Sequence, residues 1–374
     1  MSHPPASVEL STAISAVSRA SLATSSVFRS IPSSLTKEDK SPVTLGDFAA
    51  QAVVNSVLHA HFSQDKIVAE EEASALKENG ELRGKVTALV KEALQRDEAG
   101  LTGQKDFKPQ WTEKAASDEA VMESIDLGSY SGGSSGRFWT LDPIDGTKGF
   151  LRGGQYAVCL ALVESGKPTL AVMACPNLPF TKDVPKPQEG DRSGVDGGGS
   201  LFVAVKGGGA WQRSLNLSAA SASFQPISMR PRDASLTFCE SVEAGHSSQG
   251  TNAEIAKLLT ITAPPVRMDS QAKYASVARG DGDVYLRLPT GKGEYQEKIW
   301  DHASGQLLCE EAGGKVTDCS GKDLDFGQGR TLKLNKGVVV AHRDAHEEVL
   351  KAVQEALEKE GRGYLARGEP APAL

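Results

Sequence analysis

Hydrophobic residues recur at helical spacing in the first sixty positions of the chain. Residues 44 to 62 place an apolar stripe on one helical face, with Thr44 as a natural N-cap after Pro42 and Asp47 on the opposite side. The short apolar run at residues 66 to 69 then meets Glu70, as a strand does at a sheet edge. An earlier helix is predicted from the spacing of Val8, Ile14, Val17, Leu22 and Val27.

From residue 138 the pattern changes to short apolar runs separated by glycine and proline, which is typical of strands. Their hairpin-like spacing indicates a mainly antiparallel sheet faced by the earlier helices. After about residue 228 strands and helices alternate, as in an α/β domain. We therefore predict a layered α+β fold with an N-terminal α+β domain (1–228) and a smaller C-terminal α/β domain (229–374). The tail from residue 361 is expected to fray.

The charge and the cysteines narrow the class of protein. The 374 residues include 41 Lys and Arg against 48 Asp and Glu, a net charge of -7, which argues against a nucleic-acid polymer or an anionic membrane as partner. The longest apolar run, at 156–163, is too short to cross a bilayer. The N-terminus lacks the features of a secretory signal, and the five cysteines form no CxxC pair. We expect a cytoplasmic protein with reduced thiols; the Ser-rich, Arg-bearing start leaves a mitochondrial transit peptide as the alternative.

Two aspartates stand three positions apart in "DPIDGT" at 142–147. In an extended strand, Asp142 and Asp145 would lie about 10 Å apart on opposite faces. Pro143 keeps the preceding residue extended and allows a turn directly after the strand, which would bring both carboxylates and the Ile144 carbonyl to one side. Oxygen ligands favour Mg²⁺ or Mn²⁺. The alternative is an Asp-capped turn that binds nothing.

Gly146 and Thr147 follow the aspartates at once. A short helix or turn starting there would point free backbone amides at an anion beside the metal. A metal site and a phosphate site would then adjoin.

These motifs resemble a known enzyme superfamily. "DPIDGT", Glu70 in "IVAEEE" and Asp301 in "WDHASG" resemble the lithium-sensitive, Mg²⁺-dependent phosphomonoesterases that include inositol monophosphatase and fructose 1,6-bisphosphatase. Within this superfamily, "KEDKSPVTLGD", "MDSQAKY", "DVYLRLP" and "YQEKIWDHASG" resemble the 3'(2'),5'-bisphosphate nucleotidases, particularly the fungal salt-tolerance type.

The resemblance implies two to three Mg²⁺ ions. Glu70, Asp142 and the Ile144 carbonyl would hold one ion, and Asp142, Asp145 and Asp301 a second. Lithium and sodium would inhibit by replacing a catalytic Mg²⁺.

The resemblance also implies a catalytic pair. A third, weaker ion would lie near Asp47 and Glu70, while Asp47 and Thr147 would orient and deprotonate the attacking water. Without the resemblance, Asp47 has an alternative role as the acidic member of a capping box begun by Thr44. Trp300 is expected to be a packing residue that sets the pitch of the helix bearing the last carboxylate.

The substrate-binding residues that the resemblance implies are Gly146, Thr147, His246, Ser270, Lys273 and Arg287. Lysine and arginine suit a retained 5'-phosphate because both offer charge-assisted donors. Their spacing puts Ser270 and Lys273 on one face of a helix, which favours joint use. The alternatives are a solvent-facing Arg287 on an alternating strand and a surface Lys273.

The expected function is hydrolysis of the 3'-phosphate of adenosine 3',5'-bisphosphate to AMP, with 3'-phosphoadenylyl sulfate as a second substrate giving adenylyl sulfate. The resemblance implies a role in sulfate assimilation and salt tolerance. The expected partner is a small-molecule nucleotide, and the chain is expected to be a monomer. Two alternatives stay open: an inositol polyphosphate 1-phosphatase, and a catalytically silent sensor of nucleotide or metal.

Overall fold

The computed structural model describes residues 3–31, 41–96, 113–181, 190–194, 199–216, 223–232, 235–242 and 249–371. Short 3-10 helices lie at Glu113–Ala116, Ile299–Asp301 and Phe326–Gln328. The α-helices of these residues are α1 (Val8–Ser30), α2 (Ser41–His61), α3 (Ser74–Glu78), α4 (Gly80–Leu94), α5 (Asp118–Asp126), α6 (Thr147–Arg152), α7 (Gln249–Leu258), α8 (Ala272–Ala278), α9 (Ala303–Glu311), α10 (His346–Lys359) and α11 (Gly363–Ala366).

Twelve strands in the described residues form two sheets. The strands are β1 (Lys66–Ala69), β2 (Arg137–Asp145), β3 (Ala157–Glu164), β4 (Lys167–Cys175), β5 (Ser200–Val205), β6 (Gly209–Ser214), β7 (Gln225–Pro226), β8 (Phe238–Glu240), β9 (Val266–Arg267), β10 (Val284–Arg287), β11 (Gly314–Thr317) and β12 (Val338–His342). The first sheet has the order β1-β2-β3-β4-β5-β6-β7, and the second the order β11-β12-β10-β8-β9.

The first sheet is antiparallel except at one edge, where β1 runs parallel to β2. This arrangement confirms the predicted mainly antiparallel sheet. The second sheet is mixed, because β8 is parallel to both β9 and β10 while β12 is antiparallel to its neighbours. The predicted boundary at residue 228 falls between β7 and β8; the division into two domains stays a prediction.

The elements stack in five layers. Helices α1 and α2 pack on one face of the first sheet through a core that includes Ala13, Val53 and Trp139. Helices α8 and α9 lie between the two sheets, where Tyr274 and Leu308 are buried. Helices α7 and α10 cover the outer face of the second sheet. Each sheet is therefore apolar on both faces, and helices cover both.

Local sequence signals account for where several helices begin and end. The Ser7 hydroxyl accepts a hydrogen bond from the Leu10 amide at 3.0 Å and begins α1. Gly313, with φ of 100°, follows α9 as a glycine cap. No helix of the described segments combines the length and the apolarity needed to cross a bilayer.

Two expectations about helix ends are wrong. Helix α2 begins at Ser41, so Thr44 lies inside the helix and is not its N-cap. The capping-box interpretation of Asp47 fails with it, because that residue is then too far along the helix. The tail does not fray at residue 361, since α11 forms there and buries Leu365 against the outer core. Arg362 fixes this turn by donating to the Pro289 carbonyl at 2.6 Å.

Candidate active site

A cavity of about 280 Å³ lies where the edge of the first sheet meets the middle layer and the second sheet. It gathers the predicted ligands and binding residues from distant parts of the chain. Those that line it are Glu70, Asp142, Ile144, Asp145, Gly146, Thr147, Ser270, Lys273, Arg287 and Asp301. Among the other predicted site residues, Asp47 is buried and does not line this cavity, and His246 falls outside the described residues.

The parallel pairing of β1 and β2 places the first two carboxylates. Ala69 is paired with Leu141 in this register. Glu70 directly follows β1 and Asp142 is the next residue of β2, so the two carboxylates lie side by side at the carboxyl end of this parallel pair. The parallel edge of an otherwise antiparallel sheet is therefore the feature that begins the site.

A β-bulge brings Asp145 to the same side as Asp142. Asp142 is opposite Cys159 and Asp145 is opposite Ala157, so three steps on β2 face two on β3. The extra residue offsets the alternation that would point the two carboxylates to opposite faces. The sequence predicted the convergence of the side chains, but its expectation of a turn directly after the strand is wrong because β2 continues to Asp145.

The third aspartate comes from the other half of the chain. Asp301 ends the 3-10 helix Ile299–Asp301. One carboxylate oxygen from each of Asp142, Asp145 and Asp301 lies within 4.8 Å of the others. Gln271 connects this cluster, because its backbone N–H donates to Asp145 and its side-chain Nε2 donates to the Trp300 carbonyl at 2.8 Å.

Crowding of like charges dominates the electrostatics of the cluster. Burial raises the pKa of Asp142 and of Asp301 well above the ordinary range, and the neighbouring carboxylates raise both further. The pKa of Glu70 rises to about 7 through partial burial and through repulsion from Glu71, although part of its side chain still reaches solvent. Burial and repulsion from Glu70 also raise the pKa of Asp47.

The residues present fit a divalent cation. Oδ1 of Asp47 and Oδ1 of Asp142 are buried and accept no hydrogen bond from the described residues. An unpaired carboxylate oxygen in a low-dielectric site is costly unless a cation or a proton compensates it. Every candidate donor is an oxygen atom, which is the ligand type that Mg²⁺ and Mn²⁺ prefer.

The backbone at Gly146 lies very close to Ser270. Its φ is +90°, and a Cβ at this position would lie 2.7 Å from the Cβ of Ser270. Only glycine allows this conformation and this contact without strain. Helix α6 begins at the next residue, and residues 147 to 149 line the cavity beside the carboxylates.

Two cationic side chains, Lys273 and Arg287, line the same cavity as the carboxylates and form its cationic wall. Lys273 is only 4% exposed, and its Nζ donates to the Ser270 carbonyl at 2.9 Å and lies 5.3 Å from the centre of the Tyr285 ring. Arg287 donates from Nε to Glu297 at 3.1 Å. Lys273 is buried and the Arg287 side chain is only 19% exposed, so neither is the surface residue of the alternative interpretation. Ser270 precedes α8 with φ of +66°, so the predicted shared helical face of Ser270 and Lys273 is wrong.

Glu297 is a site residue that the sequence analysis missed. Its Oε2 lies 3.2 Å from Nε2 of His302, whose Nδ1 lies 2.7 Å from the Tyr274 hydroxyl. Burial opposes ionisation, but the hydrogen bonds from His302 and Arg287 lower the pKa of Glu297 to about 2. No spacing pattern distinguishes Glu297 from its neighbour Glu294, and only the fold shows that it holds Arg287 in place.

The comparisons with known proteins agree with this geometry. The chain matches the inositol monophosphatase family over residues 7–358. A 3'(2'),5'-bisphosphate nucleotidase of Schizosaccharomyces pombe is 50% identical over 358 residues, covering 93% of this chain and 95% of the relative. One from Oryza sativa is 42% identical over 373 residues, covering 96% and 97%. The crystal structure of CysQ from Bacteroides thetaiotaomicron, described as a bacterial member of the inositol monophosphatase family, has a TM-score of 0.55 at 18% identity and covers 90% of this chain and 97% of its own.

Proposed function

The chain belongs to the inositol monophosphatase family and is a phosphatase, and we propose that it removes the 3'-phosphate of adenosine 3',5'-bisphosphate to give AMP and phosphate. The observation that carries this proposal is the pairing of a carboxylate cluster with Lys273 and Arg287 in one cavity. A substrate with two phosphates could bind one at the carboxylate cluster through divalent metal and the other at the two cationic side chains. Curated relatives that are 42–50% identical over most of both chains bear the name of this activity.

Family membership implies dependence on a divalent metal, and we assign its ligands to the carboxylate wall. Glu70, Asp142 and the Ile144 carbonyl would hold one Mg²⁺, and Asp142, Asp145 and Asp301 a second. A third would lie near Asp47. Bound divalent ions would polarise the phosphoryl group and lower the pKa of water.

Asp47 and Thr147 are the residues to which we assign the attacking water. The Thr147 hydroxyl lies at the cavity wall and would orient the water, while the buried Asp47 carboxylate would accept its proton through that hydroxyl. The water oxygen would attack phosphorus as the bond between phosphorus and O3' breaks; the proton of the water goes to Asp47, and O3' takes up a proton from solvent. A raised carboxyl pKa makes the base more effective near neutral pH.

The other wall would hold the phosphate that is not cleaved. Arg287 uses Nε for Glu297, so its terminal nitrogens are the donors that we assign to the 5'-phosphate together with Nζ of Lys273. A guanidinium held by a carboxylate cannot swing away from its ligand, which lowers the entropy lost on binding. Gly146, Ser270 and His246 complete the assigned nucleotide contacts.

Several finer features belong to the same proposal. We infer that 3'-phosphoadenylyl sulfate is a second substrate and that Li⁺ inhibits by replacing a catalytic Mg²⁺. The corresponding physiological roles would be in sulfate assimilation and salt tolerance.

A substrate panel tests the proposal. Phosphate release is measured with adenosine 3',5'-bisphosphate, adenosine 3'-monophosphate and inositol 1,4-bisphosphate, with Mg²⁺ present or chelated and with Li⁺ titrated. We expect the highest kcat/KM with the nucleotide bisphosphate, little activity without Mg²⁺, and inhibition by Li⁺. Faster turnover of the inositol bisphosphate would make the chain an inositol polyphosphate 1-phosphatase, and binding without turnover would make it a sensor.

A variant locates the 5'-phosphate on the cationic wall. Lys273→Met should raise KM for the bisphosphate about tenfold or more while leaving KM for adenosine 3'-monophosphate nearly unchanged. Lys167→Met, at the exposed start of β4, is the control and should change neither. Equal losses on both nucleotides would contradict the assignment of Lys273.

A further inference from the structure

Arg330 lies beside the segment that leads to Asp301. Its carbonyl accepts a hydrogen bond from the Ile299 amide at 3.2 Å, and the next residue, Thr331, forms an antiparallel bridge with Lys298. The main chain of Arg330 is therefore fixed to the start of the 3-10 helix that carries the last carboxylate of the cluster.

The side chain of Arg330 reaches in the opposite direction, to the first sheet. Its guanidinium donates to the carbonyl of Ala69 at 2.5 Å and to the carbonyls of Gly128 and Tyr130 at 3.1 Å each. The guanidinium carbon also lies 4.9 Å from the centre of the Trp300 ring. One planar group thus contacts one carbonyl of β1, two carbonyls of the segment beside β1 and one aromatic ring of the other half of the chain.

The positions of two of these contacts are specific. Ala69 immediately precedes Glu70, and Trp300 immediately precedes Asp301. The Gly128 and Tyr130 carbonyls belong to a segment that pairs with β1, because the Ala69 amide donates to Gly128 at 2.9 Å and the Tyr130 amide donates to Ile67 at 3.1 Å. Arg330 therefore contacts the residue directly before one carboxylate from each half of the chain, at the carbonyl of Ala69 and at the ring of Trp300.

Only arginine combines these contacts. A guanidinium offers five donors in a rigid plane and can stack on an aromatic face while its edge donates to carbonyls. A lysine ammonium would keep the charge beside the cluster but could not stack and donate to three carbonyls in fixed directions.

We propose that Arg330 is a positioning residue that sets the separation of Glu70 and Asp301 and so determines the affinity of the cluster for divalent metal. This inference rests on the proposed metal centre. Groups that orient metal ligands without touching the metal typically contribute about 10- to 100-fold in affinity.

The test measures Mn²⁺ binding to the substrate-free protein by electron paramagnetic resonance. Arg330→Gln should weaken Mn²⁺ binding about 10-fold or more, and Arg330→Lys should fall between it and wild type. Arg137→Gln is the matched control, because Arg137 also joins separate segments, from β2 to Asp65 before β1 and to Glu9 of α1, but lies at the far end of β2. At saturating metal, KM for adenosine 3',5'-bisphosphate should be unchanged in the Arg330 variants.

Each contrary outcome has a distinct meaning. Wild-type Mn²⁺ affinity in Arg330→Gln overturns the proposal, and so does an equal loss in Arg137→Gln, which would indicate general loosening of the fold. A wild-type protein that binds no Mn²⁺ would instead remove the metal centre on which the inference rests. If Arg330→Gln shows no cooperative unfolding transition, Arg330→Lys carries the same comparison.

Discussion

Replacing Asp142 by asparagine should stabilise the metal-free protein and abolish its response to Mg²⁺. The carboxylate is 2% exposed, and its Oδ1 accepts no hydrogen bond from the described residues. Burial, followed by repulsion from Glu70, Asp145 and Asp301, raises its pKa. Asparagine has nearly the same shape without the charge, so the substitution removes the repulsion and leaves the packing in place.

The separation of the oxygens gives the size of the effect. Carboxylate oxygens of Asp142, Asp145 and Asp301 lie within 4.8 Å of one another. At an effective dielectric constant of about 20, two full charges at that distance repel by about 3 kcal/mol. Taking up a proton limits the penalty, since protonating an ordinary carboxylate at about pH 7.5 costs about 5 kcal/mol. We therefore expect the free energy of unfolding to rise by about 3 kcal/mol in the metal-free variant.

The assay is denaturant unfolding of wild type and Asp142→Asn, with excess chelator and with Mg²⁺. The variant should unfold at higher denaturant concentration than wild type in chelator, gain little from Mg²⁺, and lose turnover by orders of magnitude. Asp65→Asn is the control, because Asp65 is paired with Arg137 and its loss should destabilise. If Asp142→Asn were less stable than wild type in chelator, or kept the Mg²⁺ response, repulsion within an unfilled cation site would be the wrong account.

Three further predictions concern the same site. The pKa of Glu70 rises from 4.5 to about 7 on folding, so without metal its contribution to stability is full below about pH 4.5 and is lost as the pH rises to about 7. The free energy of unfolding in chelator should therefore fall across this range, and Mg²⁺ should reverse the fall. Thr147→Val should lower kcat about 100-fold or more with little change in stability, whereas Thr147→Ser should keep most of the activity. Similar kcat values for the valine and serine variants would refute the role of the hydroxyl. Gly146→Ala should lower the free energy of unfolding by about 1–2 kcal/mol because of its φ of +90°, and should also change KM because the new Cβ displaces Ser270. The control is Gly207→Ala, where φ is +70° but the space around the glycine is open; it should lose stability without a change in KM.

Some of the site was predictable because its signal is local. In "DPIDGT" a proline lies between the two aspartates and a glycine follows them, and Glu70 directly follows an apolar run. The residue types alone therefore indicated oxygen ligands at a sheet edge. The bulge that joins Asp142 and Asp145 was not predictable, because it arises from pairing with β3 rather than from the residues of β2. Asp301 required the family resemblance, since nothing near it in the sequence marks a ligand.

Other features depend on contacts between distant segments and left no local signal. Glu297 and Gln271 are polar residues in ordinary surroundings until the fold places them against Arg287 and Asp145. The start of α2 is the opposite case, because a local signal was present but misleading. Thr44 is a plausible N-cap by residue type, yet the helix begins three residues earlier, at Ser41. The layered fold was predictable because periodicity reports burial; the partners of buried polar groups were not.

The layer of helices between the two sheets has a consequence for the order in which the molecule folds. Glu70 and Asp301 are roughly 230 residues apart in the chain, and α8 and α9 are made after the whole first sheet. Contacts of such long sequence separation form slowly, because the chain between them must first lose its freedom. A nascent chain with the first sheet complete therefore holds Asp142 and Asp145 on an uncovered face with no partner from the second half. On the proposed assignment of Asp301 as a metal ligand, we expect turnover only after the last third of the chain has packed, so turnover would report completion of the fold.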